Sequence, residues 1–399
     1  MTHPYKSIHL AKEKDKRLKK GHQWIFSNEL VPTDHPLEIG QIVRVFDAGN
    51  AFKGIGYYHP NSLIAVRMLS RRDVTIDASF FKSRLKMAVA LRDNVIRDTD
   101  AYRLIYAESD GLPGLIVDRY GDGLVLQILS AGMEKQRNII IDTLGELLKP
   151  AFLILRNDNL MREREGLQQE KQVIVGNDDD IKVPITENSV HYTIDLLNGH
   201  RTGFYLDQRD NRKLFQSFIP EGAKVLDAFC HYGGFAVHAA LGGASEVIAI
   251  DNSESVLASA VETIRRNDQE STISTQLGDL FQLLPGMAKK RASFDVINLD
   301  PPNLATNRKS VGPALREYRK IHGAALEMLK PGGILATSTC SHHITREAFM
   351  ESIQRACKDS RRHVQLLHNG AHPPDHPTLP EMPETEYLKF FIFRVTETD

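Results

Sequence analysis

From residue 191 onward, runs of strand-length apolar residues alternate with runs of helical spacing, and the early strands end in aspartate. The expected strands are Lys224–Phe229, Glu246–Asp251, Ser274–Gly278, Phe294–Asp300, Ile334–Cys340 and Tyr387–Val395. Helices are expected near Phe235–Leu241, Glu254–Asn267, Phe281–Lys289, Pro313–Leu329 and Arg346–Lys358. Strands separated by helices pair in parallel with right-handed crossovers, so this pattern predicts an α/β, doubly wound sheet. Ligands of such sheets sit outside the C-terminal ends of the strands. The residues at those ends therefore carry the functional information.

The first 190 residues have a different texture. Residues 1–72 contain short alternating segments, Ile42–Phe46, Lys53–Tyr58 and Ser62–Leu69, separated by turn formers at 47–50 and 59–61. This predicts a small β-barrel. Residues 73–190 mix the two periods. A helix is expected over Phe80–Ile96, a hairpin over Gly114–Leu129 and a second helix over Glu134–Lys149, and the charge-dense segment Arg162–Asp180 is expected to contain an exposed loop. A division into 1–72, 73–190 and 191–399 follows, with α+β character in the middle part. At 399 residues the chain is long enough for two or three domains.

The acids at the strand ends narrow the ligand. The first strand runs into Asp227-Ala228-Phe229-Cys230-His231-Tyr232-Gly233-Gly234. A dinucleotide enzyme needs G-x-G-x-x-G here so that pyrophosphate can reach a helix N-terminus. A carboxylate at this turn instead suits a cationic cofactor. Asp251 ends the second strand, where an acid binds ribose hydroxyls. Gly278-Asp279 follows the third, positioned for an adenine amine, and Asp300 ends the fourth. Turns attract aspartate in any protein, but four successive strand ends point to a nucleoside.

This series, with Leu299-Asp300-Pro301-Pro302, resembles the class I (Rossmann-like) methyltransferase motifs. The segment His200-Arg201-Thr202-Gly203-Phe204-Tyr205-Leu206-Asp207-Gln208-Arg209-Asp210-Asn211-Arg212 resembles a long motif of the large-subunit rRNA methyltransferase I family. Gly21–Asn28 and Gly56–Tyr58 are similar to that family's N-terminal PUA RNA-binding domain. Ala107–Tyr120 is similar to its central domain, and Asp375–Pro377 with Tyr387–Lys389 to its C-terminal end. The resemblance implies a cytoplasmic enzyme that uses S-adenosylmethionine to make 5-methylcytosine in RNA. It assigns cofactor binding to Tyr205, Gln208, Arg209, Asp227, Phe229, Gly233, Asp251, Asn252, Asp279 and Asp300. The stretch around Tyr205, Gln208 and Arg209 is implied to close over the cofactor.

Carbon 5 of a pyrimidine is a poor nucleophile until a thiolate adds to carbon 6, so the implied chemistry demands a cysteine on the substrate side. There are three cysteines, Cys230, Cys340 and Cys357. Cys340 ends the fifth strand beside Asp300 and matches the family's nucleophile motif. Cys357 lies within a helix and Cys230 in the cofactor turn, where a cysteine is ordinarily a small apolar filler. Asp300 is expected to orient the base or to take its proton. His342 and His343 could favour the thiolate. Amine-methylating enzymes place an aromatic residue after Asp-Pro-Pro, to stack on a flipped base; Asn303 stands there, which argues against guanine N2 or adenine N6 methylation. A non-catalytic RNA-binding assembly factor would not need all four acids.

Lys+Arg number 50 against 51 Asp+Glu, so RNA must be met by local patches such as Lys12, Lys14, Lys16, Arg17, Lys19 and Lys20, or Arg308 and Lys309. No C-x-x-C pair signals a metal, and no apolar run approaches the ~18 residues of a membrane helix. The scattered cysteines suit a reducing compartment. The His- and Pro-rich stretch 368–383 is expected as a stiff loop, which the resemblance places beside the substrate. The family also admits a homodimer.

Overall fold

The computed structural model describes residues 4–33, 35–177, 181–199 and 201–396. His200 and Asp178–Asp180 of the segments above lie outside them. The chain divides into two compact units, one of Met1–Val183, Ile194–Leu206 and Pro374–Thr385, the other of Pro184–Thr193, Asp207–Pro373 and Glu386–Asp399.

The second unit is built on seven strands: β1 (Lys224–Ala228), β2 (Glu246–Asp251), β3 (Ile273–Leu277), β4 (Phe294–Leu299), β5 (Leu329–Thr339), β6 (His363–Gly370) and β7 (Lys389–Thr396). Their order is β3-β2-β1-β4-β5-β7-β6. The five strands from β3 to β5 are parallel neighbours, and β7 runs antiparallel between β5 and β6. The sheet reverses between β1 and β4, which is where a doubly wound sheet opens a crevice. Six helices connect it: α1 (Arg209–Gln216), α2 (Gly234–Leu241), α3 (Glu254–Arg266), α4 (Leu280–Lys289), α5 (Val311–Met328) and α6 (Arg346–Ser360). Leu226, Ile297, Leu335, Phe391 and Phe393 share one core with Leu284 of α4, Ile321 of α5 and Phe349 of α6. Alternation along β7 sends Phe390 the other way, where it stacks on Phe235 of α2 at 6.0 Å.

Strand β6 is absent from the expected list. Its residues are mostly exposed, as an edge strand's are, and the run His363-Val-Gln-Leu-Leu-His has no clean alternation of period two. The stretch expected as a loop from His368 therefore begins as the end of a strand.

The first unit holds two five-stranded sheets. In the first, Lys6–His9 and Trp24–Phe26 are the edges. The bridge Leu10↔Leu30 and the bond from Val31 N–H to the His9 carbonyl (2.9 Å) draw those edges together into the expected small barrel. The second sheet, from Lys171–Val175 to Ala101–Tyr106, packs on helices Ala78–Val95 and Arg137–Leu148 and forms the central α+β part. The two sheets share a core: Ile55, Tyr57 and Leu69 pack with Phe81, Leu85, Leu115 and Ile140. Within Arg162–Asp180, expected to contain an exposed loop, residues 165–170 are turn and irregular backbone, with Gly166, Gln168 and Gln169 exposed. Residues Lys171–Val175 form a strand, and Arg162 is buried, donating to the Ile128 carbonyl and pairing with Glu134 at 2.8 Å. A charge-dense sequence hides such a residue because burial depends on a partner far along the chain.

Residues Pro374–Thr385 return to this unit. Buried Arg92 makes two bonds to Asp110 (2.6 and 2.9 Å) and donates to the Asp375 carbonyl (2.8 Å), while the Asp375 carboxylate accepts from Arg103 N–H (2.9 Å).

Candidate active site

The backbone of the loop after β1 is contorted. Phe229, His231 and Gly233 all have positive φ (64°, 49° and 74°). Two non-glycine residues in that region are costly and persist only where surroundings over-determine them. Here the Cys230 N–H donates to the Ile250 carbonyl (3.0 Å) and the His231 N–H to the Asp251 carboxylate (3.1 Å). The β1 turn is thus pinned to the end of β2.

Asp251 also accepts from the Ser253 N–H at 3.1 Å and is largely buried. Each of its oxygens takes one backbone bond and retains a second lone pair. Asn252 beside it is exposed. Asp227 is fully buried and accepts from Asn298 Nδ2 at 2.9 Å. Burial pushes its carboxyl up to about 7, with the nearby Asp300 and Asp251 charges adding to the rise against the Asn298 bond. Asp279 caps α4, accepting from the Phe281 N–H (3.0 Å) and from Gln282 Nε2 (2.8 Å). The Phe229 ring lies 5.3 Å from that of Phe281, giving an apolar wall between β1 and α4.

Asp300, just past β4, accepts from Ser338 Oγ on β5 and from Gln208 Nε2 (2.9 Å). Gln208 in turn accepts from Asn211 Nδ2 at 2.7 Å. Burial pushes Asp300 up to about 6, opposed by the Ser338 bond and reinforced by the Asp207 charge. Arg209 is buried, with its Nε 3.1 Å from the Asp210 carboxylate. Tyr205 belongs to the first unit, where the Arg201 guanidinium sits 5.8 Å from its ring centre.

Cys340 directly follows β5 and is partly buried. Register pairs Leu299 with Thr337, so the end of β5 runs alongside Asp300. Cys230 is buried and Cys357 half-buried against the sheet core, and burial raises both thiols. His342 is exposed with its ring 5.0 Å from that of Tyr387, and His343 is exposed. Asn303 closes a local turn by accepting from the Ala305 N–H (3.1 Å), and Arg308 and Lys309 stand exposed beyond it. Among the described residues there is no cluster of metal-binding side chains, and no helix long and apolar enough to cross a membrane.

Known proteins place this geometry. A model of S-adenosylmethionine-dependent methyltransferases matches residues 171–394, and a PUA-like domain model matches residues 8–71. Ribosomal RNA large subunit methyltransferase I of Erwinia tasmaniensis is 37% identical over 97% of this chain and 98% of its own length. The protein of the same name from Aeromonas hydrophila is 39% identical over 97% and 99%. This chain belongs to the large-subunit rRNA methyltransferase I family. Its cofactor is S-adenosylmethionine. Two solved structures share the fold of this family member: a candidate methyltransferase complexed with SAH (TM-score 0.85, 22% identity, 98% of this chain and 100% of that one) and a candidate SAM-dependent methyltransferase from Streptococcus mutans (TM-score 0.83, 20% identity, 98% and 100%).

For this methyltransferase the donor set suits a cationic nucleoside. Asp227, Asp251 and Asp300 converge closely enough that the first feels the charge of the other two. A sulfonium relieves that repulsion, and a pyrophosphate would worsen it. Sequence reasoning passed over Asn298, which holds Asp227, and Ser338, which holds Asp300. Each sits two residues from a motif residue on the same strand face, and period two was the available signal. It matched Lys389, a cation at the head of the apolar strand β7, to the family's C-terminal end but gave it no role.

Proposed function

We propose that this methyltransferase places a methyl group on carbon 5 of a cytosine in large-subunit ribosomal RNA, through a covalent adduct of Cys340. The observation that carries the reading is the cysteine at the mouth of β5, two residues past the serine that bonds Asp300. Asp251 would hold the ribose hydroxyls, Asp279 the adenine amine, and Phe229 the face of the adenine. Asp227, Gly233, Asn252 and Arg209 would complete the cradle, with Gln208 closing it. S-adenosylmethionine would supply an electrophilic methyl group, with its sulfonium sulfur as the leaving group.

Cys340 as thiolate adds its electron pair to carbon 6, and the carbon 5–carbon 6 double-bond electrons become available at carbon 5 to take the methyl. Asp300, raised toward neutrality by burial, is suited to remove the carbon 5 proton. Loss of that proton restores the double bond and returns the electron pair to the sulfur of Cys340 as the carbon–sulfur bond breaks. Residues 1–72 would grip RNA, 73–190 form the central part, and 191–399 hold the cofactor and the base. The reaction belongs in the cytoplasm with the RNA it modifies.

RNA carrying 5-fluorocytosine at the target tests this. Fluorine at carbon 5 cannot leave as a proton does, so enzyme and RNA should stay joined through denaturing electrophoresis. Cys340→Ser should abolish both the adduct and methylation, because a serine hydroxyl is almost fully protonated at neutral pH. Cys357→Ser should keep both. A fully active Cys340→Ser enzyme would sink the carbon 5 reading and favour methylation of an exocyclic amine.

A further inference from the structure

A buried cation lies next to the proposed nucleophile and, among the described residues, belongs to no ion pair. Lys389 opens β7 and is 4% exposed. Register places it opposite Thr339, the residue before Cys340. Its Nζ donates to the carbonyls of Ser341 and Tyr387, each at 3.0 Å. These flank Cys340 from the following residue and from the approach to β7. An ammonium has three N–H bonds, so one is left without an acceptor among the described residues, and none of their carboxylates lies within ion-pair distance of it. Burying an ammonium is expensive, and two carbonyls can be satisfied by a neutral amide at lower cost. The charge itself therefore calls for a reason.

We infer that Lys389 is a positioning residue whose charge holds Cys340 in the thiolate form, an inference that rests on Cys340 being the nucleophile. A thiolate next to a lysine ammonium is stabilised relative to the thiol. The other charged and titratable groups in reach are weaker candidates. Asp300 beyond β4 is an acid and disfavours a thiolate, and Tyr318 on α5 donates its hydroxyl to Thr339 (2.9 Å). Arg346 and Glu347, at the start of α6, and Glu386, before β7, offset one another around Lys389. His342 and His343 follow Cys340, but both are exposed to solvent, which screens their influence on it. Burial draws Lys389 down to about 8, which leaves it charged at neutral pH.

The full-length protein should be alkylated with iodoacetamide between pH 5 and 10, the modified Cys340 peptide being quantified by mass spectrometry. Lys389→Gln keeps donors for both carbonyls and removes the charge. It should raise the midpoint of Cys340 alkylation by one pH unit or more, slowing the reaction at pH 7 about tenfold. Lys389→Arg should keep the midpoint low. S-adenosylmethionine affinity and the melting curve identify folded variants, and Lys389→Met serves if the glutamine variant is unstable. An unchanged midpoint in a folded, uncharged variant overturns the inference. The adduct assay is independent of this readout. A Lys389-dependent low midpoint without a 5-fluorocytosine adduct would leave the Lys389–Cys340 coupling standing and remove the carbon 5 reading instead.

Discussion

At the scale of single residues, the site is a set of acids whose charges are mutually unfavourable until a cation arrives. Asp251, proposed above to hold the ribose, is fixed by backbone N–H groups from two loops, which leave it lone pairs to accept further bonds. Asp251→Ala should weaken S-adenosylmethionine binding tenfold or more by isothermal titration, since a lost bond to a charged group costs about 1.5–3 kcal/mol. The uncharged Asp251→Asn should fall between the two. Equal affinity in all three folded proteins would refute the ribose assignment. Asp227 was equally visible as a motif residue, yet its immediate partner is Asn298 and its burial is complete, which is the environment of a residue that shapes the turn.

At the scale of elements, the first turn of α2 lies against Arg212 of α1, which a buried ion pair holds in place. Arg212 makes two bonds to Glu187, at 2.7 and 2.8 Å, and both side chains are buried. A Cβ on Gly234 would come within 2.7 Å of the Arg212 side chain and 3.1 Å of the Tyr192 hydroxyl. The arginine cannot swing away without leaving a buried carboxylate unpaired, which is strongly destabilising. Gly234→Ala should therefore cost about 1–3 kcal/mol by overpacking. Thermal denaturation should show a lowered Tm, and cofactor affinity should fall too, because the β1 turn shifts with the helix. A variant with wild-type Tm and affinity would mean that α2 is not held by this contact. The two glycines of the motif are thus needed for different reasons: Gly233 for its positive φ, Gly234 for a close approach of side chains that only the folded unit brings there.

At the scale of the whole molecule, near-neutral net charge leaves RNA affinity to local patches. Lys12, Lys14, Lys16 and Lys20 are exposed on the PUA-like part, while Lys19 is already paired with Asp15 at 2.7 Å. Deleting that part is a poor test, because Ile55, Tyr57 and Leu69 belong to the core of the central sheet. Replacing those four exposed lysines with glutamine should instead weaken RNA binding. The dependence of log affinity on log salt should flatten in proportion to the number of phosphates that the lysines neutralise. Cofactor affinity should stay the same. An unchanged salt slope would place the RNA surface elsewhere. The sequence alone determined six of the seven strands of the second unit's sheet, with most strand and helix limits within a residue or two, because buried parallel strands are continuous apolar runs and their helices keep a 3.6-residue period. It also determined which acids stand at the strand ends, since those follow directly from where each run stops. Tertiary structure alone decided that β6 is a strand, that Arg92 and Arg162 are buried, and that Asp300 meets Ser338 and Gln208. It alone brought Lys389 beside Cys340, 49 residues away along the chain. Periodicity reports which face of an element is apolar; which polar groups meet across strands depends on register and burial, and these are properties of the folded chain.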